Sequence, residues 1–89
     1  MIRIYFTFIK YKNNIYKGDF VNNQRWGIGD LTTDKFHYKG EFKDNKLEGQ
    51  GQIDFFDEGQ RYEGTFSDNK INGKGIYKWK NEWFWEIFL

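Results

Sequence analysis

Catalysis in an 89-residue chain needs a nucleophile, an acid–base pair or a metal set, and those residue types are scarce here. There is no cysteine and a single histidine, His37. That removes thiol nucleophiles, disulfides and thiolate zinc sites, and it leaves one imidazole with no second histidine to complete a metal cluster. His37 reads as a loop or strand-surface residue. Asp19 and Glu41 stand at equivalent positions and could in principle divide acid and base roles, but the third equivalent position is Thr65. A solvated polar face accounts for all three. Pairs of the form Gly-x-Gly could cradle phosphate, yet such loops pass the phosphate to a helix amino end. Here they run into Leu31-Thr32-Thr33, Ile53-Asp54-Phe55 and Ile76-Tyr77-Lys78-Trp79, which read as strand. No catalytic residue, cofactor or metal site is expected.

Binding chemistry is limited as well. The formal charge is +1, without the basic excess of a nucleic-acid surface, so no nucleic-acid partner is expected. Lys78-Trp79-Lys80 and Ile9-Lys10-Tyr11-Lys12 interleave bases with rings in a way that suits single strands or anionic membranes. With two lysines each, they read better as strand edges guarded against pairing. No apolar run reaches the length of a spanning helix, and the stretch from Ile4 to Ile9 is too short and aromatic for a secretory signal. A soluble, intracellular, cytoplasmic protein is the expectation.

The elements that carry these residues follow from a repeat. Gly18, Gly27 and Gly29 are followed by Gly40, Gly49 and Gly51, then by Gly64, Gly73 and Gly75, each triplet with the same internal spacing. Tyr16, Tyr38 and Tyr62 stand two residues before the first glycine of each triplet, and Phe20, Phe42 and Phe66 two after it. The units start 22 and then 24 residues apart.

Tyr, Gly and Phe at alternate positions fall on one face of a strand. Asn22-Asn23, Asp44-Asn45 and Asp68-Asn69 then supply the positive φ of two-residue turns. Each unit is therefore a hairpin. Counting outward from those turns places Gly18 opposite Gly27, Gly40 opposite Gly49 and Gly64 opposite Gly73. It also sets Tyr16, Tyr38 and Tyr62 opposite Gly29, Gly51 and Gly75, where each ring can cover bare backbone. One hairpin is marginal in water, so neighbouring hairpins must share their stability. The expected fold is all-β: consecutive antiparallel hairpins in an elongated, single-layer twisted sheet.

This pattern of Tyr-x-Gly-x-Phe, a turn and Gly-x-Gly resembles the MORN (membrane occupation and recognition nexus) repeat, over residues 16–83. It departs from the family at the turn, where Asn-Gly is usual, and in the second spacer, which is two residues longer and which Gly59 is expected to absorb. The units are residues 16–37, 38–61 and 62–83, with a partial strand or cap at 1–15 and a degenerate partial repeat or cap at 84–89. The resemblance implies a non-catalytic scaffold or protein-interaction module, cytoskeleton- or membrane-associated, with a protein partner or homodimer. The alternatives to it are weak binding of anionic phospholipid, against which the near-neutral charge argues, or an accessory part of a lipid kinase or lysine methyltransferase. The aromatic cluster Trp79, Trp83, Phe84, Trp85 and Phe88 is the candidate interface, as either a cap on the sheet or a contact between chains.

Overall fold

The computed structural model describes residues 3–79 and 82–88, with side chains placed for 8–79, Glu82 and Trp83. Eight strands follow one another: β1 (Arg3–Tyr11), β2 (Asn14–Val21), β3 (Gln24–Thr32), β4 (Phe36–Lys43), β5 (Lys46–Phe55), β6 (Gln60–Ser67), β7 (Lys70–Trp79) and β8 (Glu82–Phe88). Each pairs antiparallel with the next, so spatial order equals chain order. The molecule measures 42 × 25 × 16 Å. The smallest dimension is that of one sheet with its side chains, since a second sheet would lie about 10 Å above the first.

The turns need no glycine. Asn22 and Asn23 have φ of 51° and 64°, and the Asp44-Asn45 and Asp68-Asn69 pairs match them. Two consecutive left-handed residues give the turn whose twist fits a hairpin. Asparagine also reaches the preceding hairpin. Asn69 N donates to Leu47 O at 3.1 Å, while its Oδ1 accepts from Leu47 N at 2.9 Å. Asn45 brackets Arg25 in the same way, N to O at 3.0 Å and Oδ1 to N at 3.4 Å. Glycine at the second turn position would keep the backbone half of this clamp and forfeit the Oδ1 half. Gly59, with φ 62°, closes the longer connection between β5 and β6.

The simple count outward from the turns holds only for the first pairs. Phe20 faces Arg25, Phe42 faces Leu47 and Phe66 faces Ile71. A bulge then advances the second strand by two residues, so Gly18 faces Gly29, Gly40 faces Gly51 and Gly64 faces Gly75. The expected facing of Gly18 with Gly27, and its two counterparts, is thereby corrected. Tyr16, Tyr38 and Tyr62 in turn face Leu31, Ile53 and Tyr77 rather than glycine. A slip of two leaves every side chain on its own face, which is why the expected face survives an incorrect register.

The two glycines of each Gly-x-Gly do different jobs. Gly73 sits in the bulge at φ 83°, and a Cβ there would meet no atom within 4 Å. Its backbone conformation alone selects glycine, as bulges often require. A Cβ on Gly51 would instead lie 2.5 Å from Tyr38 Cε1 and 2.6 Å from its Cζ. There the ring selects glycine by occupying the space.

Pairing between hairpins joins these positions into rows. Gly18, Gly29, Gly40, Gly51, Gly64 and Gly75 face one another in succession across six strands. Beside them runs the row Ile9, Tyr16, Leu31, Tyr38, Ile53, Tyr62 and Tyr77. The tyrosine rings bend over the glycine row, and the sheet thereby makes a core without a second layer. Tyr38 and Tyr62 are wholly buried, and Tyr16, Leu31, Phe42, Leu47, Ile53 and Phe66 complete the cluster.

Two substitutions test this account by thermal unfolding. Gly51→Ala should lower stability by about 1–3 kcal/mol, the usual cost of overpacking; an unchanged melting temperature would show that the Tyr38 ring does not need this backbone bare. Asn69→Gly restores the residue that two-residue turns usually prefer, yet it should destabilise by about 1 kcal/mol because Leu47 N–H loses its acceptor. A gain in stability would mean that the turn, not the clamp, governs that position.

Candidate functional site

Six rings from the three Tyr-x-Gly-x-Phe motifs form one continuous ladder on the core face. Tyr16 packs edge to face on Phe20 at 5.0 Å and on Phe42 at 5.3 Å; Tyr38 packs on Phe42 and on Phe66, both at 5.1 Å; Tyr62 ends the ladder on Phe66 at 5.4 Å. Each tyrosine thus touches the phenylalanine of its own unit, and Tyr16 and Tyr38 touch that of the next unit as well. Perpendicular ring pairs contribute roughly 0.5–1.5 kcal/mol each beyond area burial, so the ladder is a large part of what couples one hairpin to the next.

The phenolic hydroxyls are spoken for by the bulge. Tyr16 Oη donates to Asp19 O at 2.9 Å, Tyr38 Oη to Glu41 O at 2.8 Å and Tyr62 Oη to Thr65 O at 3.3 Å. Burial pushes the Tyr16 and Tyr38 hydroxyls up from 10.0 to about 12. Arg25 partly opposes this at Tyr16, whereas the neighbouring Glu41 reinforces it at Tyr38. These groups hold the fold.

The recurring polar position after the first glycine has a structural use that the sequence alone conceals. Glu41 Oε2 accepts the bulge amide Gln50 N–H, and Thr65 Oγ1 accepts from Gln50 Nε2 at 3.0 Å. Asp19 lies beside Gly27, where a Cβ would approach its Oδ2 at 3.9 Å. In the second unit the acceptor at this place answers a backbone donor of the bulge, and in the third it joins the hairpin to the one before. On the same outer face His37 Nε2 meets Asp30 Oδ1 at 2.9 Å, and Arg61 Nε meets Asp54 Oδ1 at 2.5 Å. Both pairs tie one hairpin to the next. Among the described residues no group of three His, Asp or Glu side chains is arranged to hold a metal ion.

Beside the ring ladder the core face opens into two grooves. One, of about 450 Å3, is walled by Phe36, Leu47, Ile53, Phe55, Phe66 and Ile71. The other, of about 240 Å3, lies against Ile9, Tyr11, Tyr16 and Phe20. Arg25 and Leu31 border both. Sequence reasoning did not single out Arg25. The available signal was its place in the unit: two residues past the turn, where the later units carry Leu47 and Ile71.

Of the candidate interface residues, Trp79 and Trp83 are well exposed, and Lys78 Nζ stands 5.0 Å over the Trp83 ring. The side chains of Phe84, Trp85 and Phe88 lie outside the described residues, as does Lys80. On β1, at the opposite edge, Phe8 and Tyr11 are exposed, with Lys17 and Lys12 respectively against their rings.

A family model for the MORN repeat matches residues 16–34, 38–60 and 62–83, one hairpin unit to each match. No curated protein matches the chain. The buried hydroxyls supply a measurable consequence. Tyr16 and Tyr38 titrate near 10.0 when unfolded and at about 12 when folded, so the folded state holds its protons longer. Their contribution to stability is complete below pH 10 and is lost as pH rises toward 12. Denaturant midpoints should therefore be flat up to the lower value and fall above it, with tyrosinate absorbance rising in step with unfolding. Tyrosinate absorbance that reaches its full value while the sheet is still folded would show that the hydroxyls are not protected.

Proposed function

The chain belongs to the MORN repeat family, and from that premise we propose that it is a non-catalytic scaffold that brings proteins together, its own copies included. The observation that carries this reading is where the apolar surface lies. The ring ladder closes the core within one layer, while four of the five exposed aromatics among the described residues lie toward the two ends of the sheet: Phe8 and Tyr11 on edge strand β1, Trp79 at the end of β7 and Trp83 on edge strand β8, with Phe56 in the β5–β6 connection the exception. Strand edges with unpaired backbone groups and apolar side chains favour pairing with another chain. A two-fold contact between such edges closes into a dimer. The proposed setting is intracellular, at a cytoskeletal or membrane junction.

A second reading has its own support. Lys12, Lys17 and Lys78 each stand over an exposed ring, at 5.4, 5.6 and 5.0 Å, and bases beside aromatic rings suit the surface of an anionic bilayer. Three such lysines spread over two edges of the sheet give little attraction once salt screens them. Scaffolding is therefore preferred.

The two readings separate in solution. Sedimentation over a wide concentration range should show reversible association of the intact chain and a shift toward monomer for Trp79→Ser with Trp83→Ser. If both proteins stay monomeric and equally stable, self-association through this edge is wrong. Flotation with phosphatidylserine vesicles should show weak binding that disappears by about 0.15 M salt, where charges more than about 8 Å apart are screened. Binding that persists at that salt would place lipid recognition first.

A further inference from the structure

We propose that the two grooves on the ring-bearing face act as one docking site, with Arg25 at its centre, for an amphipathic segment of a partner protein. The segment is apolar along one side and carries an aspartate or glutamate that pairs with the Arg25 guanidinium. This deepens the protein-interaction reading and uses a surface separate from the terminal strands.

The repeat itself marks Arg25 as exceptional. Its counterparts Leu47 and Ile71 face Phe42 and Phe66 as Arg25 faces Phe20, and both serve the core, Leu47 buried within it and Ile71 packed against it. At the corresponding place in the first unit the chain sets a cation among rings, 5.9 Å from the Tyr16 centroid and 5.4 Å from that of Phe42. Its Nη2 donates to Asn45 O at 2.8 Å, but its Nε is buried without a hydrogen-bond partner. Among the described residues no carboxylate pairs with it. Burial also pulls the guanidinium below its ordinary pKa, a cost that an aliphatic residue would not incur. A planar, permanently charged guanidinium bordering both grooves matches a carboxylate, which pairs with such a group along parallel hydrogen bonds.

The grooves say what should carry that carboxylate. Arg25 and Leu31 stand between a larger groove walled by Phe55 and Ile71 and a smaller one reaching Ile9 and Tyr11. An occupant must therefore be apolar on both sides of one acidic group. Both grooves are partly open to solvent rather than enclosed, so a hydrocarbon chain lying there would stay partly wet. A peptide segment can turn its own polar side to the water, which favours a protein occupant over an acyl chain.

The test uses the full chain to select from a displayed library of random peptides. Selection should return sequences with an acid flanked by apolar residues. Arg25→Leu should lose that preference and bind the selected peptides roughly tenfold more weakly or worse, while melting at the same or a higher temperature, because it restores the aliphatic position of the repeat. Arg25→Glu should exchange the acid for lysine or arginine. Persistence of the acid in selections on Arg25→Leu, or apolar peptides without any acid from the unaltered chain, would overturn the role of Arg25 while leaving a protein-binding module intact. Failure to select any peptide would count against both readings. Vesicle binding that depends on Arg25 while no peptide competes would assign the grooves to lipid and overturn the proposal.

Discussion

A single layer of strands has no opposing layer to dry its apolar face, and every feature of this protein answers that constraint. The answer is the tyrosine laid over glycine. Removing side chains from six consecutive strands at one level lowers the floor of the sheet, and the rings from the adjacent row lean into the space. Tyr38 and Tyr62 reach complete burial in this way with only their own sheet around them. Glycine weakens an ordinary strand, because it has no side chain to pack and loses more freedom on ordering. Here the ring supplies the missing packing from the neighbouring position, so strand glycine and buried tyrosine are two halves of one interaction.

That interaction propagates because the tyrosine is longer than the hairpin's own share of the core. Tyr16 touches Phe42 and Tyr38 touches Phe66, each in the following unit. The asparagine clamps act in the opposite direction, from a turn back onto the preceding hairpin, and the His37–Asp30 and Arg61–Asp54 pairs do so on the outer face. Stability in such an array comes from the joins as much as from the units, which is the behaviour of a quasi-one-dimensional protein. The bulge belongs to the same design. It carries the second strand forward by two residues, brings glycine opposite glycine, and frees a carbonyl that the phenolic hydroxyl then satisfies.

The proposed binding surfaces lie where the chain departs from its own repeat. Where a position serves the core, the three units agree in chemistry, as the tyrosines, phenylalanines and glycines do. Arg25 departs from its apolar counterparts, keeps its Nε buried without a hydrogen-bond partner, and borders both grooves. The outermost strands depart too, with glycines lost and aromatics exposed.

The sequence by itself determined that the chain is a run of hairpins, where the turns fall, and which face carries the rings. Those properties are local: alternation decides the face, and left-handed tolerance at Asn and Asp decides the turn. Register, the use of the turn asparagines and the surroundings of Arg25 were decided only by tertiary structure. A bulge slips the pairing by two residues without moving any side chain to the other face, so alternation cannot reveal it. Asn69 looks like an inferior turn residue until the preceding hairpin places Leu47 within its reach. Arg25 looks like an ordinary surface charge until Tyr16 and Phe42, from two different hairpins, are folded against it. In each case the deciding neighbour is distant along the chain, and only the assembled sheet supplies it.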